Sequence, residues 1–272
     1  MKVIMAGYAA TRKIITASSY LTSKYLTGDF DIIFLNTGDF SGKLYSGRYE
    51  DLGQIGPTPQ EWLVALTEYL SNLDDKLIIW GSDDFFLSKP IKTKAYISLL
   101  NKIKSEENIV CAKLCNSLFH NKSEYDSIED DMFLLNNTAE YSAVVQFCIW
   151  RREFLITMLR QANSPWDFER DGSQRLNATG KKVIGTFDCA LKYPTRTATS
   201  GTHPGKVSVL GNKNEDIEFL IENGHLNKDD LIMGLWPGDV KTYEESGGDH
   251  YTCLEGCGDK EYNKRELDIC LN

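Results

Sequence analysis

The chain has 272 residues, 42% of them hydrophobic and 25% charged, which fits one large α/β domain or such a domain with an appended extension. Its net charge of −9 disfavours broad non-specific binding to nucleic acid. No apolar run approaches the roughly 18 residues that span a bilayer, and the apolar run at the N-terminus is too short for a signal peptide, so the expected location is a cytoplasm, bacterial or phage-infected.

In chain order, Lys2 to Ala6 reads as a first strand, and Ala9 to Tyr25 carries helical apolar spacing. Asp31 to Asn36 reads as a second buried strand ending at Thr37-Gly38-Asp39. Gly42, Gly47, Gly53 and Gly56 mark a long loop region. Thr58-Pro59-Gln60-Glu61 is a helix start, with Thr58 as cap, Pro59 at the first helical position and Glu61 closing a capping box. Trp62, Leu63, Leu66, Tyr69, Leu70 and Leu73 supply the apolar stripe of that helix.

The next strand is the most informative one. Leu77-Ile-Ile-Trp80 is a run of large apolar residues, and after Gly81-Ser82 it meets two adjacent carboxylates, Asp83 and Asp84. Two acids at the end of a buried strand repel each other and lose hydration, which is costly unless a cation or an opposite charge compensates. Oxygen ligands of this kind suit Mg²⁺ or Mn²⁺. The competing reading is a turn in which one Asp caps and the other is solvated.

A helix follows Pro90, with Ala95, Leu99, Leu100 and Ile103, and Ile109 to Leu114 reads as another strand. Alternating strand and helix is the pattern of a sheet sandwiched by helices, in which ligands bind beyond the C-terminal strand ends. Asn36 and Thr37 end one such strand, and Asp83 and Asp84 end another, so these positions are candidates for one binding site. Asn121 to Glu140 is acidic and reads as a long loop. Tyr141 to Trp150 reads as a strand containing Gln146, Arg152 to Gln161 as a helix, Asn163 to Lys182 as turn-rich, and Asn214 to Asn223 as a short helix.

Charge is uneven along the chain. Between Arg170 and Lys213 there are eight Lys/Arg against two acids, Asp171 and Asp188. This stretch fits a site for an anion such as a diphosphate, a site for a nucleic-acid acceptor, or a solvated mixed face. Of the seven cysteines, Cys111, Cys148 and Cys189 lie in apolar stretches and read as small buried hydrophobes. An odd count without a leader argues against a disulfide framework. His250, Cys253, Cys257 and Cys270 have loose spacing for a structural zinc, and free cysteines in a polar tail are the alternative.

The segments Trp80-Gly-Ser-Asp-Asp-Phe-Phe-Leu87, Gln146-Phe-Cys-Ile-Trp150 and Ser164-Pro-Trp-Asp-Phe-Glu-Arg-Asp-Gly-Ser173 together resemble a group of bacterial and phage glycosyltransferases of the GT-A type. The resemblance covers roughly residues 76 to 225. It implies a GT-A-like, Rossmann-like fold: a mixed, mainly parallel sheet flanked by helices over residues 1–225, with a C-terminal extension over 226–272 packed on it. It implies a metal-dependent transfer of a sugar from a nucleotide-sugar donor, a UDP-sugar first among them, to a hydroxyl acceptor on a surface glycan or on a hydroxymethylated base of phage DNA.

The resemblance also assigns residues. Asp83 and Asp84 match the acidic metal and sugar-nucleotide motif, and Gln146 lies in the strand that faces the donor sugar. Asp167 and Glu169 match the acidic positions of the Pro-Trp-Asp-Phe-Glu segment. Two apart, they would share a side on a strand, and one of them would be the base that activates the acceptor hydroxyl. His203 would complete the metal site and Lys206 would contact the diphosphate, although Val207 stands where related sequences carry Trp. Two other classes remain open: a nucleotidyltransferase, for which Gly7-Tyr-Ala-Ala-Thr-Arg12 is poor in the glycines of a phosphate loop, and a non-enzymatic carbohydrate- or zinc-binding module.

Overall fold

The structure is a computed structural model that describes residues 1–53, 55, 58–115, 124–128, 131–193, 207–208 and 212–232. It begins with β1 (Lys2–Ala6), a 3₁₀ segment (Ala9–Ile14) and α1 (Ile15–Tyr25), then β2 (Asp31–Asn36), β3 (Arg48–Asp51) and α2 (Pro59–Ser71). β4 (Leu77–Ser82), α3 (Thr93–Ser105) and β5 (Ile109–Lys113) follow. Next come β6 (Tyr125–Ser127), β7 (Met132–Leu135), β8 (Cys148–Arg151), α4 (Arg152–Leu159), α5 (Pro165–Ala178) and β9 (Lys182–Thr186). A small parallel pair, β10 (Val207–Ser208) with β11 (Leu231–Ile232), brackets α6 (Asn214–Glu222).

Nine strands form one sheet in the order β3-β2-β1-β4-β8-β5-β9-β7-β6. β7 and β8 run against the other seven, so the sheet is mixed and mainly of one direction. The expected fold class, α/β with helices on a mixed sheet, is therefore the one the chain adopts.

Period-two alternation along nearly continuous apolar strands explains the helices on both faces. Val3, Met5, Phe34 and Ile79 point to the side covered by Leu21 and Tyr25 of α1, Leu99 and Ile103 of α3, and Ile217 and Leu220 of α6. Ile4, Ala6, Ile33, Ile78 and Trp80 point to the other side, under Leu63, Leu66 and Leu70 of α2, Leu155 and Met158 of α4, and Phe168 and Leu176 of α5. The α2 start is as its sequence demands: Thr58 and Glu61 form the capping box and Pro59 opens the helix.

Several elements depart from the sequence expectation. The glycine-marked loop region contains β3, whose Arg48-Tyr-Glu-Asp51 has no apolar run because it is an edge strand. The acidic stretch expected as a loop contains β6 and β7, a hairpin at the opposite edge. The strand expected over Tyr141–Trp150 is confined to Cys148–Arg151, and Gln146 lies in the loop before it. The turn-rich reading of Asn163–Lys182 is overturned by α5, fourteen residues long, which Ser164 and Pro165 start in the same way that Thr58 and Pro59 start α2.

Sheet order places the site. The chain leaves β1 for β2 and β3 on one side, then returns to place β4 on the other side of β1. The connections leaving adjacent β1 and β4 diverge, and in sheets of this kind ligands bind in the crevice such a divergence leaves at the C-terminal strand ends.

Candidate functional site

The three strand ends at this crevice are Ala6-Gly7 of β1, Asn36-Thr37 of β2 and Ser82-Asp83-Asp84 of β4. They are level because β1 pairs in parallel with both neighbours, Ala6 facing Leu35 and Ser82. The Asp83 N–H donates to the Ala6 carbonyl at 3.3 Å and the Gly7 N–H to the Leu35 carbonyl at 2.9 Å, so the ladder continues one residue past each strand.

Asp83 is fully buried, and Asp84 is only 3% exposed. Asp83 Oδ2 accepts from the Thr11 hydroxyl at 2.8 Å and from Asn36 Nδ2 at 2.9 Å. Asp83 Oδ1 is buried with no hydrogen-bond partner among the described residues. Burial, followed by the neighbouring Asp84 charge, pushes the Asp83 carboxyl up to about 8, against the opposing effect of its Thr11 and Asn36 bonds. Asp84 accepts a hydrogen bond from the Ser82 hydroxyl.

Around this pair the loops are firmly built. The Asn36 side chain also accepts from the Thr37 N–H at 2.7 Å, and Arg12 donates to the Thr37 carbonyl at 2.6 Å. Gly38, at φ +78°, donates its N–H to Asp51 at 2.7 Å and accepts from the Tyr49 hydroxyl. Tyr8, 38% exposed, lies within reach of both carboxylates: burial first, then the Asp84 and Asp83 charges, raise its phenol. Gln146 is buried and accepts from the Tyr193 hydroxyl at 3.4 Å. Its neighbour Phe147 packs on Gly81, where a Cβ would approach the ring to 2.7 Å, so the Gln146 loop reaches the end of β4.

The helix α5 separates the two acids that a strand would have kept together. Successive helical residues turn by about 100°, so Asp167 and Glu169 diverge by roughly 200°. Asp167 sits in the first turn, its N–H bonded to the Ser164 cap, its carboxylate accepting from the Asn163 N–H at 2.9 Å and from Arg175 at 3.3 Å. Those contacts make it a capping residue. Glu169 turns the other way, accepts from the Val145 N–H at 3.0 Å, and feels the charges of both Lys113 and Asp84. Burial raises its carboxyl, while the Val145 bond and the Lys113 charge oppose that rise. Of the sequence candidates, the structure thus brings Asn36, Thr37, Asp83, Asp84, Gln146 and Glu169 to one end of the sheet and turns Asp167 to a separate task.

Four residues here were missed in the sequence. Gly7, Tyr8 and Thr11 follow β1 at unremarkable spacing. Lys113 is 1% exposed at the end of β5, and its signal was a single lysine closing an otherwise apolar strand. Conversely, the basic stretch is dispersed: Arg170, Arg175, Lys182 and Lys213 each face an acid, respectively Asp171, Asp167, Glu106 and Glu215. His203, Lys206, the possible zinc ligands His250, Cys253, Cys257 and Cys270, and the extension beyond Ile232 lie outside the described residues. Among the described residues no group of three or more His, Cys, Asp or Glu is arranged to hold a metal ion. Cys111, Cys115, Cys148 and Cys189 are buried, as small hydrophobes would be.

No family model and no curated protein matches the chain. Among solved structures, residues 1–349 of TarS from S. aureus align over 98% of this chain and 82% of that one, at 12% identity and a TM-score of 0.44. A fuller TarS structure is covered over 37% of its length. CMP:2-keto-3-deoxy-manno-octonic acid synthetase aligns over 67% and 87% (11% identity, TM-score 0.41), and UDP-glucose pyrophosphorylase over 71% and 91% (8%, 0.43). No described helix is long and apolar enough to cross a membrane.

Proposed function

We propose that this protein is a nucleotide-sugar-dependent glycosyltransferase whose donor diphosphate is held, with a divalent cation, at Asp83 and Asp84. The observation that carries the reading is the buried acid pair at the point where the sheet order reverses, with Asp83 Oδ1 buried and unpartnered. A bare carboxylate pair in that setting is unfavourable, and a cation relieves it. Mg²⁺ and Mn²⁺ fit the donor set: such ions are commonly held by one or two carboxylates together with substrate phosphates, without a closed protein cage. When bound, the ion supplies charge neutralisation for the leaving diphosphate.

The chain's own residues would divide the remaining work. Thr11 and Asn36 would fix the Asp83 carboxylate through Oδ2, leaving the unpartnered Oδ1 available to the ion. Asp84 is the outer ligand. Tyr8, partly exposed above the pair, offers a ring face to the nucleoside, and the Thr37 region lies beside it at the end of β2. Glu169 is the group placed to accept the acceptor's hydroxyl proton, because it is the carboxylate near Asp84 that is not itself committed to helix capping. Gln146, at the edge of the same crevice, would orient the sugar. A glycan hydroxyl is the acceptor this reading favours, since the net charge of −9 disfavours a duplex and four cations of the basic stretch, Arg170, Arg175, Lys182 and Lys213, already face acids.

The test is a thermal-shift titration of UDP, UDP-hexoses and other nucleoside diphosphates, with Mn²⁺ and with EDTA. Stabilisation by nucleotide only in the presence of Mn²⁺, absent in Asp84→Asn with an unchanged apo melting temperature, is the expected outcome. Product analysis then separates the classes, since a transferase releases nucleoside diphosphate and a nucleotidyltransferase releases pyrophosphate. Absence of metal-dependent binding by every nucleotide would overturn the reading.

A further inference from the structure

The most unusual side chain outside the acid pair is Lys113. It is the last residue of β5, two strands from β4 at the level where Trp80, Cys148 and Lys113 stand in register. It is 1% exposed, and its ammonium donates to the Tyr141 carbonyl at 2.6 Å. Tyr141 has φ +52°, a left-handed conformation that a bulky residue seldom adopts. A buried cation therefore secures a strained turn in the loop between β7 and β8.

That loop is fastened from its other side by α5. Glu169, Ser173 and Asn177 are four residues apart and form one stripe of the helix. Glu169 accepts from the Val145 N–H at 3.0 Å, Ser173 accepts from the Ala143 N–H at 3.0 Å, and Asn177 donates to the Ala139 carbonyl at 2.9 Å. The loop residues so held, Ala139 to Val145, lead directly into Gln146 and into Phe147 beneath Gly81.

We propose that Lys113 and Glu169 act as one unit, in which Lys113 is a positioning residue that holds the Glu169 carboxylate and the 139–147 loop in place beside Asp84. The inference rests on the assignment of Glu169 as the base. Placement is its basis: the cation reaches the loop from β5 of the sheet, at Tyr141, and the carboxylate reaches it from α5, at Val145. Their charges are mutually supporting as well. Burial lowers the Lys113 ammonium, opposed by Cys148, Cys111 and then Glu169, and burial raises the Glu169 carboxyl, opposed by the Val145 hydrogen bond and then the Lys113 charge. Asp84 is the one charge that acts against Glu169 from the β4 side.

Four proteins test this: wild type, Lys113→Met, Glu169→Gln and the double variant, with Lys113→Arg as the charge-preserving control. The first readout is amide hydrogen exchange over residues 139–147, which requires no activity. Lys113→Met is expected to speed exchange at Val145 by about tenfold, as loss of a local closing interaction does. The double variant should exchange no faster than the faster single one, and Lys113→Arg should remain protected. The second readout is turnover. Lys113→Met should lower kcat with donor KM little changed, and should cost nothing further in the Glu169→Gln background. Unchanged exchange at Val145 in Lys113→Met, or additive losses in the double variant, would overturn the unit. If exchange behaves as expected but Glu169→Gln keeps normal turnover, the unit stands and the assignment of the base falls.

Discussion

Gly7 and Asp83 are in such close contact that a Cβ built on the glycine would lie 1.9 Å from Asp83 Oδ2 and 2.3 Å from Oδ1. The backbone leaving β1 and the carboxylate leaving β4 thus occupy the same small space, where only glycine leaves room. Gly7→Ala has no low-cost escape, since the carboxylate is held by Thr11 and Asn36. The expected loss is about 1–3 kcal/mol, the usual range for overpacking a filled site. Urea unfolding midpoints measure it, and metal-dependent nucleotide binding should weaken in parallel.

The raised Asp83 carboxyl makes the unliganded protein sensitive to pH. Unfolded, Asp83 titrates near 4. Folded, it holds its proton until about 8. Between those values the folded state binds the extra proton, so the stability contributed by this group falls as pH rises from about 4 to about 8, and it is constant outside that window. Asp83→Asn keeps an oxygen for Thr11 and Asn36 and carries no charge. Its melting temperature should gain on wild type as pH increases through the window, and the difference should level off above it. Equal pH profiles for the two proteins would show that Asp83 is not held protonated.

Asp167 and Glu169 should separate cleanly in mutants. Asp167→Ala removes a first-turn acid that accepts from Asn163 and Arg175, so it should cost about 0.5–2 kcal/mol of stability and leave turnover nearly intact. Glu169→Gln should lower the rate by about 10²- to 10⁴-fold with donor affinity retained. The pair is read by comparing melting temperatures with single-turnover rates for the two variants.

Far from the crevice, Asp216 anchors α6 to α1. It is 1% exposed, and it accepts from Lys24 and from the Tyr25 hydroxyl, with the Tyr20 hydroxyl at 3.4 Å. Burial, with help from Asp216, pushes the Tyr25 phenol strongly upward. Asp216→Ala would leave that buried hydroxyl without its acceptor, at an expected cost of about 1–3 kcal/mol in urea unfolding. Nucleotide binding at the opposite end of the molecule's first strand pair should be unaffected once the protein is folded.

The sequence by itself determined the parts whose physics is local. Continuous apolar runs fixed β1, β2, β4 and β5 as doubly covered strands, since alternate residues of each must be buried on opposite faces. Thr58, Pro59 and Glu61 fixed the start of α2, because a cap and its box need only four neighbouring residues. The placement of two acids after a buried strand also marked the end of β4 as costly without compensation. Local signals failed where strands were short and polar, as in β3 and β6, because an edge strand owes its order to the neighbour it pairs with. They failed again at α5, whose polar residues carry a helix only because Phe168 and Leu176 find a face of the sheet to cover. The candidate site itself was a tertiary decision. Thr11, Asn36 and Asp83 are brought together across separations of 72 and 47 residues by strand pairing. Lys113 reaches Tyr141 across 28 more. Which carboxylate turns toward Val145 and the Asp84 charge, Glu169 or Asp167, depended on the turn of one helix, and that turn is set by packing against the sheet.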